Sequence, residues 1–168
     1  MIEELKTNIE ESVSKIADIK KAMTQEIRDK LIPVYESLFA LDDRLKTISW
    51  TQYTPYFNDG ETCEFGVNEI RYNGSYYDYD DDDTQDENDP YSSGAFRKEI
   101  WVQDKETKKY SNIPNPKFDE LAHKVVSTKI LESIPDDIWY DIYGDHCQII
   151  VTRTDTGVKV DVEEYSHD

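Results

Sequence analysis

The side chains best suited to chemistry in this sequence are two cysteines and three histidines. A cysteine nucleophile needs a histidine base within hydrogen-bond reach. Cys63 or Cys147 with His123 or His146 would supply the residue types, but no local sequence signature surrounds either thiol. The chain also lacks GxGxxG, P-loop, GxSxG and HExxH motifs. The sequence therefore favours a protein that is not an enzyme, and it indicates no cofactor.

Histidines next to acids near the C-terminus suggest an alternative metal site. His146 follows Asp145, and His167 lies just after Glu163 and Glu164. Two imidazoles with carboxylates form an adequate ligand set for a divalent metal. Such residues also coincide by chance in a chain with 37 acidic side chains, so we keep His146, His167, Glu163 and Glu164 only as an alternative.

The formal charge of −18 is the strongest constraint on partners. A chain this acidic repels phosphates, which argues against direct binding to nucleic acid or to an anionic membrane and favours a basic protein partner. No stretch approaches the roughly 20 apolar residues that span a bilayer, and the first residues do not resemble a signal peptide. We therefore expect a cytoplasmic protein with reduced thiols.

Residues 75–95 form the most biased segment, rich in tyrosine and aspartate. With almost no aliphatic side chain, this segment cannot offset its ordering entropy by burial, and we expect a mobile loop. Tyrosines beside carboxylates suit contact with a basic surface. The predicted partner-binding residues are Tyr76, Tyr77, Asp78, Tyr79, Asp80, Asp81, Asp82, Asp83, Asp86, Glu87, Asp89 and Tyr91.

The N-terminal residues 1–49 have the pattern of helices. Apolar residues recur every three or four positions from Ile2 to Leu31, which predicts one amphipathic helix. Pro33 should end or kink that helix, and a second helix would extend to Ile48. Two interpretations remain, a helical hairpin and a kinked long helix that dimerises as a coiled coil. The break at Pro33 favours the hairpin.

Residues 50–168 have the pattern of an α+β core. Aromatic side chains crowd residues 50–65, where Trp50, Tyr53, Tyr56 and Phe57 predict either a buried corner or, as the alternative, a small-ligand site. A strand is expected from Cys63 to Val67.

The rest of the core alternates between strand and helix signals. We predict a strand over 96–102, a polar turn over 104–116, a helix over 118–134 and a second helix from Pro135 to Gly144. A hairpin over 147–165 follows, with Val158, Val160 and Val162 facing inward. The predicted fold class is therefore α+β, with an N-terminal long helix or helical hairpin packed with a small antiparallel sheet and one or two further helices.

Two segments, ISWTQYTPYFNDGE at 48–61 and the ending YGDHCQIIVTR with VEEYSHD, resemble small proteins of bacteria and their phages. The resemblance covers the strand-bearing parts of the chain and brings no activity with it. It implies a prokaryotic or phage protein of the cytoplasm. Together with the acidity, it leads to the hypothesis of a phage-type interaction protein. Such a protein would bind a basic host protein and inhibit a nucleic-acid-acting or defence protein, with the aspartates imitating nucleic-acid charge.

Overall fold

The computed structural model describes residues 2–57, 60–74, 86 and 88–166. Its elements are α1 (Ile2–Leu41), β1 (Thr47–Tyr53), β2 (Gly66–Val67), β3 (Arg71–Tyr72), β4 (Glu99–Gln103), β5 (Tyr110–Pro114), α2 (Glu120–Val126), α3 (Asp136–Tyr143), β6 (Cys147–Thr154) and β7 (Gly157–Glu164). The fold is α+β, as predicted. The chain divides into two compact units, Met1–Val34 and Tyr35–Asp168.

Helix α1 corrects the preferred interpretation of the N-terminus. It is one 40-residue helix with Pro33 inside it, so the hairpin is wrong and the N-terminus is one long helix. Dimerisation through this helix stays a prediction. An interior proline costs a helix about 3 kcal/mol. The segment after Pro33 recovers such a cost because Tyr35, Leu38 and Phe39 are buried, and each large buried side chain contributes about 1.5 to 3 kcal/mol.

An antiparallel sheet forms the centre of the second unit, in the order β2-β1-β6-β7 with β3 also paired to β1. Strand β1 lies in its interior and is buried along almost its whole length. The helical assignment of Ile48 was therefore wrong. Ile48 pairs with Val151, and both side chains are fully buried. A strand that is buried on both faces does not alternate between apolar and polar residues. Its sequence therefore resembles an apolar stretch at the end of a helix.

The core on one face of β1 is aromatic. The rings of Trp50 and Trp139 lie 4.9 Å apart, and Tyr143 contacts both. The amide of Gln52 links this cluster by accepting from Trp50 Nε1 and donating to the carbonyls of Trp139 and Gly144. Helix α3 is thereby tied to the sheet by both rings and hydrogen bonds.

Several predicted boundaries shift. The helix expected over 118–134 is only Glu120–Val126, followed by turns, and the strand expected from Cys63 begins at Gly66. The polar turn predicted over 104–116 contains β5, which pairs with β4. Helix α3 ending at Gly144 and the hairpin β6–β7 are confirmed. Val162 pairs with the fully buried Ile149, but its own side chain remains 49% exposed.

An ion-pair network joins three loops of the second unit. Arg44 donates to both carboxylate oxygens of Asp42 and to both of Asp119. Asp119 also accepts from Ala122 N as the N-cap of α2, and the Tyr91 hydroxyl donates to Asp42 Oδ2 at 2.9 Å. The Arg44 hydrogen bonds hold the pKa of Asp119 at about 2. Burial alone would raise the pKa of Asp42, but bonds from Arg44 and Tyr91 outweigh it and lower that pKa.

Candidate interaction site

Four chain segments meet at one end of the sheet. In the antiparallel register β1 ends at Tyr53, β6 begins at Cys147 and β7 ends at Glu164, with Gln52 opposite Cys147 and Cys147 opposite Glu164. Helix α3 ends just before β6. We call residues 53–57, 144–146 and 163–166 the sheet-end surface.

Asp145 fixes the geometry of this surface. Its Oδ1 accepts from the backbone N–H groups of Thr54 and His146, each at 2.8 Å, and its Oδ2 accepts from the Thr54 hydroxyl at 2.7 Å. Burial raises the pKa of Asp145, but these hydrogen bonds outweigh it and leave the pKa below its ordinary value. The carboxylate therefore stays charged and holds residues 54 and 146 together.

Two aromatic pairs occupy the sheet-end surface. Tyr56 stacks on the His146 ring with centroids 4.7 Å apart, and Tyr53 contacts Tyr165 at 5.6 Å. Tyr56 remains 70% exposed and Phe57 78% exposed. His146 has a φ of +51°, an unusual conformation for a side chain larger than glycine, and its backbone carbonyl accepts from Tyr165 N. Several contacts therefore hold in place the backbone that carries the exposed rings.

The segments that form this surface, and residues 60–66 next to it, carry only negative charge on their acidic and basic side chains. Residues 53–57, 60–66, 144–146 and 163–166 contain five carboxylates, at Glu61, Glu64, Asp145, Glu163 and Glu164, and no lysine or arginine. The contact of Phe65 with Tyr140, at 5.1 Å, ties residues 60–66 to α3. Helix α3 itself adds exposed acids at Asp136, Asp137 and Asp141.

The aromatic segment and the C-terminal cluster, two separate alternatives in the sequence, thus meet in the structure. Tyr56 stacks on His146 and Tyr53 contacts Tyr165, which directly follows Glu163 and Glu164 at the end of β7. Trp50 belongs instead to the core. The buried-corner interpretation is wrong for Tyr56 and Phe57, because both side chains are exposed.

The alternative metal site receives no support from the part of the chain that the structure describes. Within residues 2–57, 60–74, 86 and 88–166, no group of three or more His, Cys, Asp or Glu side chains is placed to hold a metal ion. His167 lies outside the described residues.

Most of the predicted acidic loop also lies outside the described residues, namely Tyr76, Tyr77, Asp78, Tyr79, Asp80, Asp81, Asp82, Asp83 and Glu87. Among its described residues, Tyr91 does not match the prediction. Tyr91 is only 4% exposed and stacks on Tyr72, so it offers no contact area to a partner. Asp89 accepts from Tyr91 N and from the Asn73 amide, and Asp86 accepts from Asn88 N. These side chains hold local turns.

Cys147 is buried at the start of β6. Its Sγ lies 3.6 Å from the Tyr143 carbonyl oxygen, and burial together with the nearby Asp145 charge raises the pKa of the thiol to about 11. A thiol with this pKa is protonated at neutral pH and is a weak nucleophile. Cys63 is half-buried, and His123 Nδ1 lies 2.9 Å from the Phe96 carbonyl oxygen.

A cavity that the sequence did not reveal lies elsewhere in the second unit. Its volume is about 660 Å³, within the usual range for small-ligand sites. The lining includes three cationic side chains, Arg71, Arg97 and Lys129, and two carboxylates, Glu69 and Glu132. The one available signal was the charge of residues 96–134, where bases outnumber acids in an otherwise acidic chain.

Comparisons with models of known protein families, with curated protein sequences and with solved structures found no match to this chain. Among the described helices, none combines the length and the apolar composition needed to cross a membrane.

Proposed function

We propose that this chain is a non-enzymatic binding protein whose sheet-end surface binds a basic surface of another protein. The observation that carries the proposal is the pairing of exposed aromatic rings with carboxylates on a fixed backbone. Tyr56 and Phe57 are more than two-thirds exposed, and the segments around them contain no lysine or arginine.

The exposed rings supply the contact area. Tyrosine is enriched at binding hot spots because it buries a large surface at a small entropic cost and keeps a polar end. A guanidinium or ammonium group placed over such a ring gains a further cation–π attraction. Stacking on His146 restricts the Tyr56 ring before a partner arrives, which reduces the entropy lost on binding.

The carboxylates supply the preference for a basic partner. Glu163 and Glu164 end β7 beside the aromatic pairs and are exposed. Arginine forms bidentate bonds with such carboxylates. A net charge of −18 also accelerates encounter with a cationic protein and repels acidic competitors. Binding would inhibit the partner if the occupied basic surface is the groove in which the partner binds its own ligand. The sequence hypothesis names a nucleic-acid-acting or defence protein of a host as such a partner.

The test measures binding of a fluorescent arginine-rich peptide to the full chain by anisotropy, with an acidic peptide of equal length as the negative probe. The variants are Tyr56→Ala with Phe57→Ala, and Glu163→Gln with Glu164→Gln. We expect each pair of substitutions to weaken binding about tenfold or more. The carboxylate variant should also flatten the dependence of affinity on salt.

The controls are single substitutions of the same chemical kind at other exposed positions. Tyr110→Ala removes an exposed tyrosine from β5, and Asp155→Asn removes an acid from the turn between β6 and β7. Equal losses in the controls, or undiminished binding in the sheet-end variants, would contradict the proposal. A host protein captured by the wild-type chain but not by the Tyr56 and Phe57 variant would then identify the partner.

The 660 Å³ cavity supports a second candidate function, binding of a small anionic ligand. Three cationic side chains around one cavity are notable in a chain with 37 acids and 19 bases. A ligand that binds the folded state raises the melting temperature. Phosphate, citrate and nucleotides should do so in the wild type, and not in an Arg97→Gln, Lys129→Gln variant. No shift with any of them would exclude these anions.

A further inference from the structure

Helix α1 exposes a continuous apolar stripe in the first unit. Seven of its large apolar side chains are between 54% and 78% exposed: Ile2, Leu5, Ile9, Val13, Ile16, Ile19 and Met23. They follow one another at steps of three or four residues, so they share one face over 22 residues, about 33 Å of helix. A contiguous exposed apolar face of this kind marks an interaction surface.

The charged residues of this helix are unequally distributed along its length. Residues 2–12 contain four acidic side chains and one basic side chain, whereas residues 13–23 contain one acidic and three basic. The first half therefore has a charge of −3 and the second half a charge of +2. A partner helix that complements this pattern needs a basic half beside Ile2 and an acidic half beside Met23.

We infer that the occupant of this stripe is a second copy of the same helix in antiparallel orientation. In that orientation the −3 half of each copy lies against the +2 half of the other, whereas parallel pairing sets −3 against −3 and +2 against +2. The helix macrodipoles also oppose each other favourably only in the antiparallel pair.

The apolar residues have a matching register in this arrangement. When two antiparallel copies are centred between Ser12 and Val13, Ile2 lies at the level of Met23 of the other copy, and Ile9 lies at the level of Ile16. Leu5 falls within one residue of Ile19. The same positions thus form a symmetric, self-complementary seam, as a two-fold dimer requires.

The orientation is tested by disulfide cross-linking of full-length chains in a Cys63→Ser background. Leu5→Cys and Ile19→Cys are made as separate variants, since a disulfide requires Cα atoms within about 7 Å. We expect a cross-linked dimer when the two variants are mixed and oxidised, and almost none from either alone. Cross-linking of each variant alone, without the mixed product, would show parallel pairing and overturn the inference.

Association itself is tested by light scattering over a range of concentrations. The wild type should approach the mass of two chains, and Ile9→Asp with Ile16→Asp should keep it at one. Ser14→Asp, which places the same charge on the opposite face of α1, should leave the dimer intact. A single-chain mass for the wild type at its highest soluble concentration would overturn the inference and leave the stripe to another protein.

Discussion

The Arg44 network and the sheet-end surface use the same chemistry, aromatic rings with carboxylates, for different ends. In the network, Asp42 is 2% exposed and its oxygens accept from Arg44 and from the Tyr91 hydroxyl. At the sheet end, Tyr56 and Phe57 project into solvent, and the nearby Glu163 and Glu164 are exposed. An aromatic ring combined with carboxylates from elsewhere in the chain is thus a structural element in one place and a candidate contact surface in the other.

The difference lies in what the chain supplies to each carboxylate. Asp42 and Asp119 share the guanidinium of Arg44, which lies 75 residues from Asp119 in the chain, and each also accepts from a nearby backbone N–H group. These bonds turn the charge of both carboxylates into a constraint on the fold. At the sheet end, Asp145 accepts hydrogen bonds from the backbone N–H and the hydroxyl of Thr54. It thereby positions the segment that carries the exposed rings of Tyr56 and Phe57. Substitutions should therefore change stability in the network and affinity at the sheet end.

The largest loss of stability is expected for Arg44→Ala. It leaves the buried Asp42 carboxylate without its cation, which should lower the free energy of unfolding by about 3 kcal/mol in a urea titration. The exposed pair of Lys159 with Asp161 provides the control, because Lys159→Ala should change stability by about 0.5 kcal/mol or less. If the two variants lowered the free energy of unfolding by similar amounts, the Arg44 network would stabilise the fold no more than an exposed ion pair does.

A smaller loss is expected for Gln52→Met, which breaks the link between β1 and α3. The Gln52 amide has three partners, and removing it should destabilise the fold by about 2 kcal/mol. Gln148 is the matched control, since its buried side-chain amide has no hydrogen-bond partner among the described residues. Gln148→Met should be neutral or stabilising in the same urea titration. A loss as large as that of Gln52→Met would contradict this assignment.

The sequence predicted those parts of the fold that local patterns determine. Helix α3 between Pro135 and Gly144, and the hairpin with its Asp155-Thr156-Gly157 turn, could be identified because capping and turn residues bound them. Strand β1 was missed because burial on both faces removes the alternation by which strands are recognised. Pro33 was misjudged because the burial of Tyr35 and Phe39 that offsets it is tertiary.

The sequence indicated candidate residues for the site, but not which of them contact one another in the fold. Tyr56 and His146 were each singled out from the sequence, yet nothing local indicates that they stack, because the strand register between β1 and β6 brings them together. Tyr91 was misassigned for the converse reason. Its acidic neighbours suggested exposure, whereas Asp42, distant in sequence, provides a buried acceptor for its hydroxyl. The roles of these side chains depend on long-range contacts.

The acid dependence of stability should also originate in the network. The pKa of Asp119 is about 2 in the folded state and near 3.8 ordinarily, so the unfolded chain binds the proton first as the pH falls. Stability is therefore complete above about pH 4 and should decrease by about 1 to 2 kcal/mol between pH 4 and pH 2. Asp119→Asn, which keeps an N-cap oxygen, should show a shallower decrease in urea titrations across this range. If Asp119→Asn lost stability with falling pH as steeply as the wild type, other carboxylates would account for the acid sensitivity.

The smallest effect on stability is expected at the sheet end, where it separates binding from folding most clearly. Tyr56→Ala removes a ring that is 70% exposed and touches His146, so the free energy of unfolding should change by about 0.5 kcal/mol or less. The same variant should lose affinity for an arginine-rich peptide. Tyr35→Ala is the contrasting control. The Tyr35 ring is fully buried and bonds to Tyr143, so its loss should lower the free energy of unfolding by about 3 kcal/mol or more. If Tyr56→Ala behaved like Tyr35→Ala, the ring would be part of the fold, and the comparison with the Arg44 network would fail.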